Sequence, residues 1–339
     1  MEMTKNQVNC KHCQSARVVR FGTYHGVQRY WCKDCKRKFK ADDSLFRGKV
    51  SASDISTALN EYYSGMSIND IRRRIKQEKG YYPAQSTVYQ WVDKFTDVAV
   101  RHYDRFKPNV GDVWVADETV LNIDGKDVWL WDVIDEDTRF LLASKLSYTR
   151  NISDAKTLFE LAKRRAGKEP KVIITDKLKA YPEAARETLS DTHHKQSRPF
   201  TAEDSTNKIE RWHSTLKERT KVMRGLKDTN SALAFTDGFL AYYNFIRPHE
   251  ALDGRTPAEQ AGVDYTIKNW AGIIRLNEPS QQVSIEPLEE ARRVITGKPY
   301  KAGRRRSLAL GQPTPRLETP MPAEVKRLLY GRPPRGIRL

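Results

Sequence analysis

No run of this 339-residue sequence stays apolar for the roughly 18 residues a helix needs to cross a bilayer, which weakens a membrane reading. The opening residues, MEMTKNQVNC, lack the apolar core of a secretory signal, so a reducing cytoplasm is the expected setting. Cysteine is scarce, with four in the chain. That excludes a disulfide-built scaffold and makes the thiols metal ligands or free groups. Acidic residues are outnumbered, 43 Asp+Glu against 60 Lys+Arg, for a net charge of +17. Such a balance favours polyanionic partners, nucleic acid first among them. The length implies two or three domains, of which at least one can bury a full-sized core.

The cysteines are spaced for a metal. Cys10 and Cys13 form one C-x-x-C pair, and Cys32 and Cys35 form a second. Each pair is a tight knuckle that aims two thiolates at one ion, and two knuckles complete the closed tetrahedral set of a single structural Zn²⁺. The strand-like residues 17–22 and 28–31 between the pairs are the expected hairpins of a zinc ribbon spanning residues 1–45. His12 is expected to be exposed, with replacement of a cysteine ligand as its alternative role. In so small a unit the metal would supply the folding energy.

Residues 50–100 read as a helical unit. Ser51 with Asp54, and Ser67 with Asp70, have the S-x-x-D form of a helix start, and Gly65 offers a stop between them. Ile55, Leu59 and Tyr62 line one helix, and Ile68, Ile71 and Ile75 the next. A third is expected from Ser86, with Val88, Trp91, Val92 and Phe95 inward. This is the pattern of a helix-turn-helix, although any small three-helix bundle shows the same spacing. On the recognition helix Thr87, Tyr89, Gln90, Asp93 and Lys94 would face outward, able to meet base edges and phosphates of double-stranded DNA.

Strand signals begin at about residue 108. Residues 113–120 alternate, Asp124-Gly125 suits a type I′ hairpin turn, and residues 128–134 and 140–143 supply two further strands. A helix at about 153–166 leads into Val172-Ile173-Ile174-Thr175, the continuous apolar run of a strand buried on both faces. Three antiparallel strands, a helix and a parallel strand predict an α/β core of the ribonuclease-H type with a mixed five-stranded sheet. Asp117 lies within the first of these strands and Asp176 at the exit of the fourth, so neighbouring placement would bring the carboxylates together. By strand parity Asp117 shares a face with Val113 and Val115, where a charge calls for a metal or a partner. Asp112, Glu118, Asp132 and Asp135 lie near enough to be the ligand in its stead.

A third acid is expected from a helix. In residues 207–217 the apolar Ile209, Trp212 and Leu216 mark a buried stripe, and Glu210, His213, Ser214 and Lys217 occupy the next one. Asp117, Asp176 and Glu210 form a hard-oxygen donor set suited to two Mg²⁺ or Mn²⁺ ions. Lys217, two turns beyond Glu210, would touch a phosphate. His213 either contacts DNA or braces its helix. His193 and His194 are placed on a strand near the sheet edge, without chemistry.

Trp114-x-x-Asp117-Glu118-Thr119, then Thr175-Asp176-Lys177-x-x-Ala180-Tyr181, then Asn207-x-Ile209-Glu210-Arg211-x-His213-x-x-x-Lys217 resembles the DDE catalytic core of insertion-sequence transposases, relatives of retroviral integrases. Residues 243–249 and 252–259 are similar to the segment that closes that core, so the resemblance runs over about 108–263. It implies strand cleavage at element ends, transfer of the 3′-hydroxyl to target DNA, and a homo-oligomer assembled on paired ends. It also implies that Asp117, Asp176 and Glu210 hold the metals while Lys217 contacts DNA. Asn244, Arg247 and His249 are expected to lock the last core helix, with a phosphate contact as the alternative for Arg247. Residues 264–339 depart from the pattern. They hold nine of the 16 prolines and an excess of Lys and Arg, and are expected to be largely disordered apart from a short helix near 288–294.

Overall fold

Strand pairing begins at the N-terminal end, in a computed structural model that describes residues 8–10, 13, 15–24, 27–40, 50–197, 205–223 and 225–276. Strands β1 (Val18–Tyr24), β2 (Val27–Cys32) and β3 (Lys38–Lys40) form an antiparallel sheet in that order. The register sets Val18 opposite Cys32 and Tyr30 opposite Phe39. Cys10, Cys32 and Phe39 are the buried centre, with Val8, Val18, Tyr30 and Cys35 against them. This apolar nucleus is small, which is why the cysteines matter to it. His12 lies outside the described residues.

Helices α1 (Ala52–Tyr63), α2 (Ile68–Lys79) and α3 (Gln85–Tyr103) follow. The Ser51 and Ser67 hydroxyls accept the N–H groups of Asp54 and Asp70, satisfying one orphan donor at each helix start. Gly65, at φ +114°, makes the turn between α1 and α2 with a backbone that side-chain-bearing residues avoid. Ile55, Leu59, Ile71, Ile75, Val88 and Phe95 are all buried, as their spacing requires. The third helix is longer than a compact three-helix unit needs, because its second half packs on helices that come later in the chain. Val98, Ala99 and Tyr103 are buried there.

The central sheet consists of β4 (Val113–Ile123), β5 (Lys126–Asp135), β6 (Leu141–Ser147), β7 (Val172–Thr175) and β8 (His193–Gln196). Its order is β6-β5-β4-β7-β8. The first three are antiparallel, while β7 runs parallel to both β4 and β8. Asp124 and Gly125 both take positive φ, the geometry of the I′ turn that joins β4 to β5. Helices α4 (Ile152–Ala166) and α5 (Ala180–Thr188) pack together on one face, and α6 (Asn207–Val222) lies on the other. The two faces are separated on β5 itself. Trp131 meets Tyr181 of α5, while its neighbour Asp132 meets His213 of α6. This is the mixed five-stranded, ribonuclease-H-type layout expected from the sequence.

Helix α7 (Thr229–Phe245) closes the core, followed by a short 3-10 turn at Glu250–Leu252, α8 (Pro257–Gln260) and α9 (Trp270–Leu276). The Asn244 side chain binds both the N–H and the C=O of Leu141 on β6, each at 2.9 Å, and so locks α7 to the sheet.

The boundary placed after residue 263 needs correction. Trp270, Ile273 and Ile274 are buried, and the Trp270 ring stacks on Tyr63 of α1 at 5.1 Å between centroids. Tyr103 on α3 donates to the Ile267 carbonyl at 2.9 Å. A short apolar helix amid basic, proline-rich sequence passes for part of a tail, yet it completes the core shared by α1, α3 and α7. The helix expected near 288–294 lies outside the described residues, as does all of 277–339.

Candidate active site

Two parallel strands carry the first two acids to one place. Ala116 on β4 pairs with Thr175 on β7, and β7 stops there, so Asp176 turns off the sheet beside Asp117. An oxygen from each of Asp117, Glu118 and Asp176 can lie within 4.8 Å of the others. Asp117 is partly exposed and Asp176 more so, leaving both open to a ligand from solvent. Asp176 also accepts the Leu178 N–H at 2.8 Å, which fixes its side chain at the strand exit. Two such oxygens are hard donors, and their separation is one that a small divalent cation or a pair of them can span.

Glu118 is bound differently. Its side chain is 1% exposed and faces α5. The Tyr181 hydroxyl donates to one oxygen at 2.5 Å, and Arg150 donates to the other through Nε at 2.8 Å and through its second nitrogen. Burial pushes the Glu118 carboxyl above the usual carboxylate range against the pull of the Tyr181 hydroxyl, with Asp176 raising it further and Arg150 opposing. Burial, with Glu118 beside it, also holds the Tyr181 phenol protonated far beyond neutral pH.

On the opposite face the cross-strand partner of Asp117 is Asp132, which is fully buried. His213 of α6 lies between them, its Nε2 3.0 Å from Asp132 and its Nδ1 3.5 Å from Asp117. Burial alone would lower this imidazole, but hydrogen bonds to Asp117 and Asp132 and their charges raise it to about 9. Ser144 donates to the other Asp132 oxygen. His213 is therefore a buried brace, not a DNA contact. It belongs with Ile209, Trp212 and Leu216 in the buried stripe, a correction to its placement beside Glu210 and Lys217.

Glu210, Ser214 and Lys217 are exposed on α6. Glu210 lies on the first turn of the helix, one turn before His213, and accepts a hydrogen bond from Thr206 at 2.7 Å. It is not in the group formed by Asp117, Glu118 and Asp176. The neighbouring alternatives to Asp117 are otherwise engaged: Asp112 by Lys168 and Lys171, and Asp135 by Thr138. His194 donates to or accepts from the Thr175 hydroxyl at 2.9 Å within the sheet.

Sequence reasoning passed over Arg150 and Tyr181 as partners of Glu118. Tyr181 stands in the motif that carries Asp176, and that proximity was the available signal.

The cysteines converge as their spacing required. Cys10 and Cys35 sulfurs are 3.6 Å apart, as are those of Cys13 and Cys32, and all four can lie within 4.8 Å of one another. A disulfide needs about 2 Å. Four sulfurs about 2.3 Å from one tetrahedral ion stand roughly 3.8 Å apart, so the set fits zinc. Burial raises the Cys32 thiol, but the Cys35 and Asp34 N–H groups and the adjoining thiols outweigh it and bring it to about 6. On α3, Tyr89, Gln90, Asp93 and Lys94 are exposed and Thr87 is half-buried. The Tyr89 hydroxyl reaches Ser231 at the start of α7 at 3.2 Å. No helix among the described residues is long and apolar enough to cross a membrane.

Residues 111–249 match the family model described as a DDE domain. Over 222 residues, 65% of this chain and 98% of the relative, the sequence is 24% identical to the transposase for insertion sequence-like element IS431mec of Staphylococcus aureus. It is equally similar, over the same shares, to the transposase for insertion sequence element IS257 in transposon Tn4003 of Staphylococcus aureus. The HTLV-2 integrase catalytic core domain in complex with magnesium aligns with a TM-score of 0.35 at 16% identity, covering 46% of this chain and 97% of that one. Residues 111–249 thus carry the sequence pattern described as a DDE domain, and 98% of the length of those two transposases aligns with this chain.

Proposed function

We propose that this protein binds the double-stranded ends of an insertion sequence, cleaves there, and joins the freed 3′-hydroxyl to target DNA. The observation that carries the reading is the meeting of Asp117 and Asp176, 59 positions apart in the chain, at the open end of two parallel strands. Mg²⁺ or Mn²⁺, two ions held by Asp117, Asp176 and Glu210, would activate the attacking hydroxyl and stabilise the leaving oxygen of an in-line displacement. Glu210, on the first turn of α6, would complete the set by turning from Thr206 toward the two aspartates. His213 keeps Asp117 in place, and Lys217, exposed two turns along α6, would hold a phosphate of the bound strand.

The remaining parts serve recognition. A zinc ribbon held by Cys10, Cys13, Cys32 and Cys35 and a helix-turn-helix over 50–100 would read the element end, with Thr87, Tyr89, Gln90 and Lys94 meeting the groove. A homo-oligomer would pair two ends, and the work would take place at the nucleoid in the cytoplasm.

Purified protein with Mg²⁺ or Mn²⁺ should join labelled element ends to a plasmid, and Asp117→Asn should abolish joining while sparing end binding. Binding with no metal-dependent joining would favour a DNA-binding regulator in its place, and cleavage without joining a nuclease of this fold.

A further inference from the structure

Arg150 is fixed in an unusual position for a surface arginine. It stands between the end of β6 and Asn151, the cap of α4, and its guanidinium lies over the Trp129 ring at 4.6 Å. Nε and one terminal nitrogen both engage the same oxygen of Glu118. The other Glu118 oxygen is occupied by the Tyr181 hydroxyl. An aromatic face, a buried carboxylate and a phenol thus remove most of the freedom a long side chain would otherwise lose on binding a ligand.

The arginine points at the acids without consuming them. Its nearest approach to Asp176 is 3.8 Å, too long for a good hydrogen bond, so the carboxylate stays available. Among the described residues its remaining terminal nitrogen, Nη1, meets no acceptor, and 36% of the side chain is open to solvent. A planar cation with one edge anchored and the other free, next to two metal-ready carboxylates, matches the fork geometry that recognises phosphate oxygens. Glu118, by contrast, has both oxygens committed.

Resting on the transposase reading above, we infer that Arg150 binds a phosphate of the DNA strand at the Asp117–Asp176 site, and that Glu118 is its anchor and not a third metal ligand. The arginine would hold the phosphodiester against the two aspartates while Lys217 holds the strand farther along α6.

The test is a binding cycle, not a turnover assay. Two duplexes are copied from the DNA flanking the coding region, one native and one with a single uncharged methylphosphonate at the element end. The affinity of the full chain for each is measured in Ca²⁺. Because Arg150→Ala strands a buried carboxylate, the double variant Arg150→Ala/Glu118→Gln is measured beside it. Both variants should bind the native duplex roughly tenfold or more weakly than wild type, the scale of one charge-assisted contact. Both should bind the methylphosphonate duplex as wild type does. Equal losses on the two duplexes would make Arg150 a structural residue and overturn the inference. So would a wild-type protein that does not distinguish the duplexes. Wild type binding neither duplex would overturn the transposase reading as well.

Discussion

His213 Nε2 lies 3.0 Å from Asp132, and Asp132 is the residue directly across the sheet from Asp117. The imidazole therefore ties Asp117 to a carboxylate that solvent cannot reach. Groups that orient a ligand in this way typically change metal affinity or activity by roughly tenfold to a hundredfold when removed. His213→Ala should weaken Mn²⁺ binding by that order, measured by titration calorimetry, and His213→Gln, which keeps one hydrogen bond, should recover part of it. Unchanged Mn²⁺ affinity in the alanine variant would show that the brace serves only packing.

Glu118 and Glu210 make opposite commitments, and substitution separates them. Glu118 is saturated by Tyr181 and Arg150, whereas Glu210 is exposed and held by one hydroxyl. Glu210→Gln should abolish joining and reduce the Mn²⁺ stoichiometry from two to one, with Glu118→Gln keeping both ions. The reverse pattern would exchange the two acids' roles.

Chelation separates the ribbon from the core. With sulfurs 3.6 Å apart and, among the described residues, a buried centre of Cys10, Cys32 and Phe39, a zinc ion on the four thiolates would supply folding energy to the N-terminal unit. The purified protein should carry one zinc by elemental analysis. A chelator strong enough to remove it should eliminate end binding while the main thermal transition of the core stays in place. End binding that survives complete zinc loss would remove the ribbon from recognition.

Much of this was legible in residue order, and the failures have physical causes. The Asp124-Gly125 turn, the buried run 172–175 and the serine caps of α1 and α2 are local rules, satisfied within a few residues. The four cysteines and the Asp117–Asp176 pair were read from spacing and strand parity. His213 was misplaced because a helix stripe has soft edges: only the carboxylates of β4 and β5 decide that it turns inward. The pairing of Glu118 with Arg150 joins residues 32 apart and leaves no periodic trace. Trp270 needed knowledge of Tyr63, more than two hundred residues away.

Acid should weaken the fold through the buried His102 and the half-buried His249. Burial, with Arg105 beside it, lowers His102 from 6.5 to about 4, and its Nδ1 faces the Arg105 guanidinium at 2.8 Å, a position that demands an unprotonated nitrogen. Burial likewise lowers His249 to about 4, against a hydrogen bond to the Tyr243 carbonyl. Both are neutral in the folded chain and take up protons below about 6.5 once unfolded. Their contribution is complete above pH 6.5 and is lost as pH falls from there toward 4. Melting temperature measured across that window should fall less steeply in His102→Phe than in wild type. Parallel curves would assign the acid limb to other groups.

The helical region and the DDE domain should unfold together. Tyr63 stacks on Trp270 and on Tyr242, while its hydroxyl binds Thr96 at 2.6 Å, so a single side chain joins α1, α3, α7 and α9. Gly238 on α7 makes room for it: a Cβ there would stand 2.3 Å from the Tyr63 hydroxyl oxygen. Trp270→Ala removes a fully buried ring from this cluster and should cost about 3–5 kcal/mol in denaturant unfolding. The loss should appear identically by far-ultraviolet circular dichroism and by a fluorophore placed on β8, because the packing is continuous from α1 into the core. If the helices melted first and the sheet signal stayed unchanged, residues 50–100 would be a separate domain whose contact with α9 is incidental. Coincident transitions would mean that α3 and the body that carries Asp117 and Asp176 unfold as one unit.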